Sequence, residues 1–317
     1  MRIIFAGSGT FGLPTLRALV EGGQEIALAV TQPDRPAGRG RAVRISPVAL
    51  FARERDIPVI QPEDVNAKPA IRRIRKAQPD LLLVISYGQK IGPDLLGAAP
   101  HGAINLHASL LPKYRGAAPI NRAIINGELE TGLTVIAMTE EIDAGDILGQ
   151  RATPIEPGET AGELADRLSK LGARLVTEVI REIPLGEVER RRQNESQATF
   201  APRLKKTDGL IDWNLPAQEV HNRIRGTTPW PGAYATLPGS GSRGPLRLVV
   251  ARSRLVESAG KGEPGTIVAV TPEGIDVAAA KGVVRLLELT PAGKRAMPAA
   301  DFARGYRVAA GVRLAGA

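Results

Sequence analysis

The chain has 317 residues, 43% of them hydrophobic, which is length for two domains and enough apolar material for buried cores. It has no cysteine, so disulfides and thiolate chemistry are excluded, and no apolar run approaches the roughly 20 residues needed to cross a bilayer; a cytoplasmic protein without membrane attachment is expected, and Met1 to Gly7 is too short an apolar stretch for a secretory signal. Net charge is +9 and unevenly spread, with 12 Lys and Arg against 6 Asp and Glu over 243–317, which suggests a polyanionic partner such as nucleic acid.

In chain order, Arg2 to Ala6 is a short apolar run ending in the glycine-rich turn Gly7-Ser8-Gly9-Thr10-Phe11-Gly12. Leu13, Leu16, Leu19 and Val20 then fall at helical spacing, and Glu25 to Val30 reads as a second strand. This β-turn-α-β opening predicts a doubly wound, Rossmann-like sheet. Gly7, Gly9 and Gly12 match G-x-G-x-x-G with Asp34 downstream, a pattern shared with NAD(P) sites, although a tight strand-to-helix turn asks for glycine whatever it binds. A long loop from Thr31 to Ile45 follows, carrying Arg35, Arg39, Arg41 and Arg44. Loops of this length are usually functional or disordered.

Ser46-Pro47 opens a helix through Glu54, Pro58 to Ile60 reads as a strand, and Ala70 to Ala77 as a basic helix. Asp80 to Ser86 is a continuous apolar run, as buried parallel strands are, and Gly102 to Leu106 is the next strand. Pro119 to Asn126 reads as a helix stopped by Gly127. Thr131 to Thr139 is a strand expected to pair with Gly145 to Ile155. Thr160-Ala161-Gly162-Glu163 is a capping box for an amphipathic helix with Leu164, Leu168, Leu171, Leu175, Val179 and Ile183 on one face. Residues 190–207 read as a basic linker between a catalytic domain at 1–189 and a second domain at 208–317. After a brief helix at Val220 to Ile224, five short strands separated by Gly/Pro turns suggest a small OB-like β-barrel: Tyr234 to Leu237, Leu246 to Ala251, Gly265 to Val270, Ile275 to Ala279 and Val283 to Leu289. The Ala/Gly/Arg-rich tail after Phe302 is expected to fray.

The chemistry gathers around Asn105 and His107. Two apart on a strand, their side chains share one face. An amide donor beside an imidazole suits a carbonyl reaction, one steadying an oxyanion and the other moving a proton. Asp143, in the loop after the Thr131–Thr139 strand, is the third candidate, since ligands bind at the carboxyl ends of strands in open parallel sheets. Each also has a purely structural reading: a turn cap, a strand-end histidine, a loop aspartate bonding its own backbone. His101, His107 and His221 form no ligand motif, so no metal is expected.

Asn105-Leu106-His107 with Ser109-Leu110-Leu111-Pro112-Lys113-Tyr114-Arg115-Gly116, and then Asp143-Ala144-Gly145-Asp146, resembles the folate-dependent formyltransferases. Thr31 to Gly40, Ala117-Ala118-Pro119-Ile120, and Asp212-Trp213 through Pro229-Trp230-Pro231-Gly232-Ala233 narrow the likeness to the branch acting on methionyl-tRNA. Departures from the pattern are Tyr114, where many relatives have Trp, Asn121, where many have Gln, and Glu141, where Gly is frequent. The resemblance implies a Rossmann-like formyltransferase domain followed by an OB-like barrel. It also implies 10-formyltetrahydrofolate as donor and methionyl initiator tRNA as acceptor. Asn105, His107 and Asp143 would be catalytic, and Ser109, Leu110, Leu111 and Pro112 would line the folate site. Arg35, Arg39, Arg41 and Arg44 would meet the acceptor stem, with Arg203, Lys205 and Lys206 on phosphates. A monomer is expected. The alternatives are another folate-dependent amine formyltransferase, an NAD(P)-dependent oxidoreductase, or an RNA-binding module without chemistry.

Overall fold

The computed structural model describes residues 1–37, 42–239, 244–257 and 262–316. Two compact units emerge, each assembled from three stretches of chain: Met1–Gly116, Thr131–Thr153 and Ala165–Phe200 in one, and Ala117–Glu130, Pro154–Leu164 and Ala201–Ala317 in the other. Among the described residues no helix is long and apolar enough to cross a membrane.

In chain order the strands up to the long helix are β1 (Arg2–Ala6), β2 (Glu25–Val30), β3 (Arg35–Ala37), β4 (Ala42–Arg44), β5 (Val59–Ile60), β6 (Leu81–Val84), β7 (Ala103–His107), β8 (Arg115–Gly116), β9 (Glu130–Ala137) and β10 (Ile147–Pro154). Helices α1 (Leu13–Glu21), α2 (Pro47–Arg53), α3 (Lys68–Lys76) and α4 (Pro93–Leu96) lie between the first of them. Seven strands make one sheet, in the order β10-β9-β7-β6-β1-β2-β5. The sheet is parallel from β5 to β7, as the Rossmann-like expectation requires, and antiparallel between β7 and β9. Ile3, Ile4, Phe5 and Leu81 to Leu83 are buried, which explains their uninterrupted apolar sequence. The chain runs outward through β2 to β5 and then returns to β6 on the other side of β1. This reversal makes a crevice beyond the carboxyl ends of the strands.

Helix α6 (Ala161–Glu182) starts with the predicted capping box: the Thr160 N–H donates to Glu163 Oε2 (2.9 Å), and the Glu163 N–H to Thr160 Oγ1 (3.4 Å). Its buried stripe runs through Leu164, Leu168, Leu175, Val176, Val179 and Ile180. Leu171 and Ile183 are only half-buried, because the stripe passes through Gly172 instead. A Cβ at Gly172 would lie 2.6 Å from a Leu106 methyl, so that glycine lets the helix close on β7. The Thr31–Ile45 stretch, expected as loop, contains the antiparallel pair β3 and β4.

In the second unit, α5 (Pro119–Ile125) packs on α7 (Ala217–Thr227), which is longer than the Val220–Ile224 core of its sequence pattern. The next strand is the short β11 (Phe200–Ala201). The remaining strands are β12 (Ala233–Leu237), β13 (Leu246–Val256), β14 (Ile267–Thr271), β15 (Gly274–Ala278), β16 (Val283–Pro291) and β17 (Met297–Pro298). They form an antiparallel sheet in the order β12-β13-β16-β15-β14, with β17 on β16. β13 runs five residues past its expected end at Ala251. Arg252 and Arg254, which break the apolar pattern, pair with Glu163 and Glu273 there. Helix α8 (Ala299–Tyr306) buries Ala299, Phe302 and Ala303, and Phe302 stacks on Tyr306.

The tail does not fray. Ile267 donates to Val312 O and Leu314 to Gly265 O, each at 2.8 Å, while Thr236 and Ala315 exchange both backbone bonds. One segment thus satisfies edge groups beside β14 and on β12, and Leu314 enters the core beside Ile211 and Trp213. The alternating small residues concealed this because the backbone makes most of the contact.

Leu314→Ala should cost about 2–4 kcal/mol in urea unfolding; a wild-type midpoint would mean that the tail contributes nothing. Glu163 supplies a pH dependence. The Arg252 guanidinium, assisted by the Thr160 N–H and hydroxyl, holds its carboxyl at about 2, below the ordinary 4.5. The folded carboxyl is the stronger acid, so its stabilisation is complete above pH 4.5 and is lost as pH falls towards 2. Glu163→Gln should flatten that part of the stability–pH curve, measured by unfolding at a series of acid pH values.

Candidate active site

β7 carries the first two residues of the site. Ile104 and Leu106 are buried, while Asn105 and His107 alternate with them onto the other face, as the period of two requires. The third residue arrives by a route the sequence did not indicate. β9 runs antiparallel to β7, with His107 opposite Thr134 and Ile104 opposite Ala137. The loop after β9 therefore begins beside the start of β7, not beside its carboxyl end. It then folds back, and Asp143 reaches the pair: Asn105 Nδ2 donates to Asp143 Oδ1 at 3.4 Å, and His107 Nδ1 lies 3.5 Å from Asp143 Oδ2. The fold-back is tight. Asp143 has φ +53, and a Cβ on Gly145 would fall 1.7 Å from Ala137 O.

His107 is 6% exposed. Its Nε2 lies 2.9 Å from the carbonyl oxygen of Tyr114. A carbonyl only accepts, so Nε2 carries a hydrogen, and in the neutral ring Nδ1 presents a lone pair to Asp143. The carboxylate also accepts from the Gly116 N–H at 2.8 Å.

Of the residues expected to line a folate site, Ser109 and Leu111 are buried and build the turn itself. Ser109 Oγ donates to Lys113 O at 2.6 Å, and Leu111 N donates to Thr134 Oγ1 at 3.1 Å. Leu110 and Pro112 keep partial exposure. Thr134 and Gln150 complete this buried knot: Thr134 Oγ1 donates to Ser109 O, and Gln150 Nε2 to Leu111 O.

Two residues missed in the sequence brace Asp143. Gln193 Nε2 donates to Asp143 O (2.8 Å) and Gly145 O (2.7 Å). Gln193 Oε1 accepts from Arg115 Nη2 at 2.8 Å and Nε at 3.2 Å. Arg115, buried, is also paired with Glu195 at 2.7 Å. That hydrogen-bonded carboxylate raises the Arg115 pKa against the opposing effect of burial, and the guanidinium in turn lowers the pKa of Glu195. Arg115 lies within the quoted motif, but Gln193 sits in a segment without periodicity and gave no signal.

The glycine-rich turn has a packing explanation. A Cβ on Gly7 would meet Ile85 O at 2.7 Å, and one on Gly12 would meet Phe5 Cζ at 3.0 Å. Asp34 is engaged at the base of the β3–β4 pair, accepting from Gln61 Nε2 (2.8 Å) and Ser46 N (3.3 Å). Among the basic residues, Arg35 is exposed and paired with Glu63 at 2.9 Å. Arg44 ends β4, while Arg39 and Arg41 lie outside the described residues. Arg203, Lys205 and Lys206 are exposed. A cavity of about 390 Å³, lined by His101, Ile104, Ala137, Leu148, Ile183 and Arg190 among others, is separate from Asn105, since Ile104 points to the opposite face.

An amide, an imidazole and a carboxylate meet at the carboxyl-terminal part of β7, a combination of groups suited to carbonyl group transfer with proton exchange. The family models for formyl transferase and for the formyl transferase C-terminal domain match residues 1–180 and 203–307, and the chain belongs to the formyl transferase family. It is 46% identical to methionyl-tRNA formyltransferase of Geobacter sulfurreducens over 99% of this chain and 96% of that protein. It is 42% identical to the methionyl-tRNA formyltransferase of Moorella thermoacetica over 98% of each. Among solved structures, the sugar 3N-formyl transferase WlaRD is similar in fold at TM-score 0.67 and 18% identity, over 93% of this chain and 99% of that one. HypX from Aquifex aeolicus gives TM-score 0.67 and 18% identity over 98% of this chain and 48% of that one.

Proposed function

We propose that this chain transfers the formyl group of 10-formyltetrahydrofolate to the α-amine of methionine on aminoacylated initiator tRNA, for translation initiation. The observation that carries the reading is the meeting of Asn105 and His107 on Asp143 in a chain 46% identical, nearly end to end, to a methionyl-tRNA formyltransferase.

The amine attacks the formyl carbon, and a carbon–nitrogen bond forms as the carbonyl becomes an oxyanion. The second N–H of the Asn105 amide can donate to that oxyanion, and a proton taken up by the His107–Asp143 pair adds compensating charge. The bond to folate N10 then breaks. One proton must leave the amine and one must reach N10, so the site needs a place to keep a proton between the two events. The His107–Asp143 pair is that place, because Nε2–H is fixed on Tyr114 O and the space between Nδ1 and the carboxylate takes one proton. Leu110 and Pro112 offer the folate wall, and Ser109 and Leu111 hold its shape.

Residues 1–189 supply the catalytic residues, 190–207 are a basic connection whose Gln193 and Glu195 belong to the first unit, and 208–317 carry an OB-like tRNA-binding domain. The barrel reading is supported by the tail that bonds to β12 and beside β14. Arg35, Arg39, Arg41 and Arg44 approach the acceptor stem, while Arg203, Lys205 and Lys206 position phosphates. The protein acts as a cytoplasmic monomer.

His107→Ala and Asn105→Ala should each lower formyl transfer to charged initiator tRNA by about 100- to 1,000-fold, with charged elongator tRNA as control. Near-normal turnover in either variant would overturn the assignment. Replacing Arg203, Lys205 and Lys206 together by Ala should make the log K against log salt line shallower by about 2. An unchanged slope in filter binding would remove these residues from the phosphate contacts.

A further inference from the structure

We propose that Gln193 is a positioning residue for Asp143, setting its backbone so that the carboxylate meets Asn105 and His107. This rests on the reading of Asp143 as part of the formyl-transfer site.

Asp143 has left-handed backbone, which aspartate adopts more readily than most residues but still at some cost, so contacts from elsewhere help to hold it there. Gln193, fifty residues downstream, supplies them. Both Nε2 hydrogens are spent on carbonyls of the Asp143 loop, those of Asp143 and Gly145. The amide cannot rotate to offer its oxygen instead, because Oε1 is held by two nitrogens of the Arg115 guanidinium. Arg115 is fixed by Glu195 and by a backbone bond to Thr199 O.

The next residue, Gly116, donates its N–H to the Asp143 carboxylate. The contacts therefore close a circuit. They pass from the Asp143 carbonyl through Gln193 to the Arg115 side chain, along one peptide to Gly116, and back to the Asp143 carboxylate. Backbone and side chain of one aspartate are referenced to the same guanidinium. Moving Gln193 shifts the carboxylate without touching the pair it serves.

A buried glutamine that only fills space would tolerate glutamate, which has the same shape and would still bond Arg115. A clamp would not, since the glutamate oxygens cannot donate and would face two carbonyl oxygens. Gln193→Glu and Gln193→Ala should therefore both lower kcat by about 10- to 100-fold, the scale of a misplacement of about 1 Å, with KM for both substrates little changed.

The second readout is the imidazole 15N spectrum. The chain has three histidines, His101, His107 and His221, so the signals are assignable from single His variants. In both Gln193 variants the His107 Nδ1 resonance should move while those of His221 stay. Wild-type kcat with an unmoved His107 resonance in Gln193→Glu would overturn the proposal. So would a fall in kcat that tracks lost thermal stability while His107 is unmoved. If the wild-type protein fails to formylate charged initiator tRNA, the proposed function falls; the His107 spectra still decide whether Gln193 sets the aspartate.

Discussion

The Asp143 carboxylate is the group on which this site depends. It is 13% exposed, and a carboxylate so far out of water is stable only where hydrogen-bond donors replace the solvent. Among the described residues the Gly116 N–H is the short donor at 2.8 Å, the Asn105 amide stands farther off at 3.4 Å, and His107 Nδ1 lies at 3.5 Å. That asymmetry suits chemistry. The short bond fixes the carboxylate, and the two looser contacts leave an amide N–H and an imidazole position able to respond to a substrate.

This arrangement follows from the direction of one strand. Had β9 run parallel to β7, its loop would have opened at the carboxyl end and Asp143 could have reached His107 from an ordinary turn. Running antiparallel, it delivers the loop at the far end of β7, and the chain must double back along the strand. The cost appears in the backbone: left-handed φ at Asp143, and at Gly145 a contact with Ala137 O that admits no side chain. A loop bent in this way needs bracing, and the segment after α6 provides it through Gln193.

β1 and β2 were legible to the residue, because a strand buried on both faces writes an uninterrupted apolar run bounded by turn residues. Asn105 and His107 were legible from their spacing of two. The direction of β9 was not, since parallel and antiparallel buried strands share one pattern, and Asp143 was chosen for a reason the structure reverses. The tail, α8 and the β3–β4 pair escaped because small residues, short length or local charge hid their periodicity. Gln193 escaped for a different reason: its role is a long-range contact to backbone carbonyls, which leave no mark on the sequence of the loop they belong to.

The two buried histidines share one kind of contact and differ in the other. Each ties Nε2 to a backbone carbonyl, His221 to Pro157 at 3.1 Å and His107 to Tyr114 at 2.9 Å. They differ at Nδ1. His221 faces the Ser253 hydroxyl at 2.9 Å, a group that can donate to a lone pair, so the neutral ring is fully satisfied. Burial lowers its pKa, with Arg225 adding to the effect against the opposing Pro157 carbonyl, and keeps it neutral. His107 faces a carboxylate, which cannot donate unless protonated. His221 needs nothing further from its surroundings, whereas His107 Nδ1 faces a carboxylate oxygen at 3.5 Å. The difference between the two imidazoles comes from the partner at Nδ1 rather than from the histidine itself.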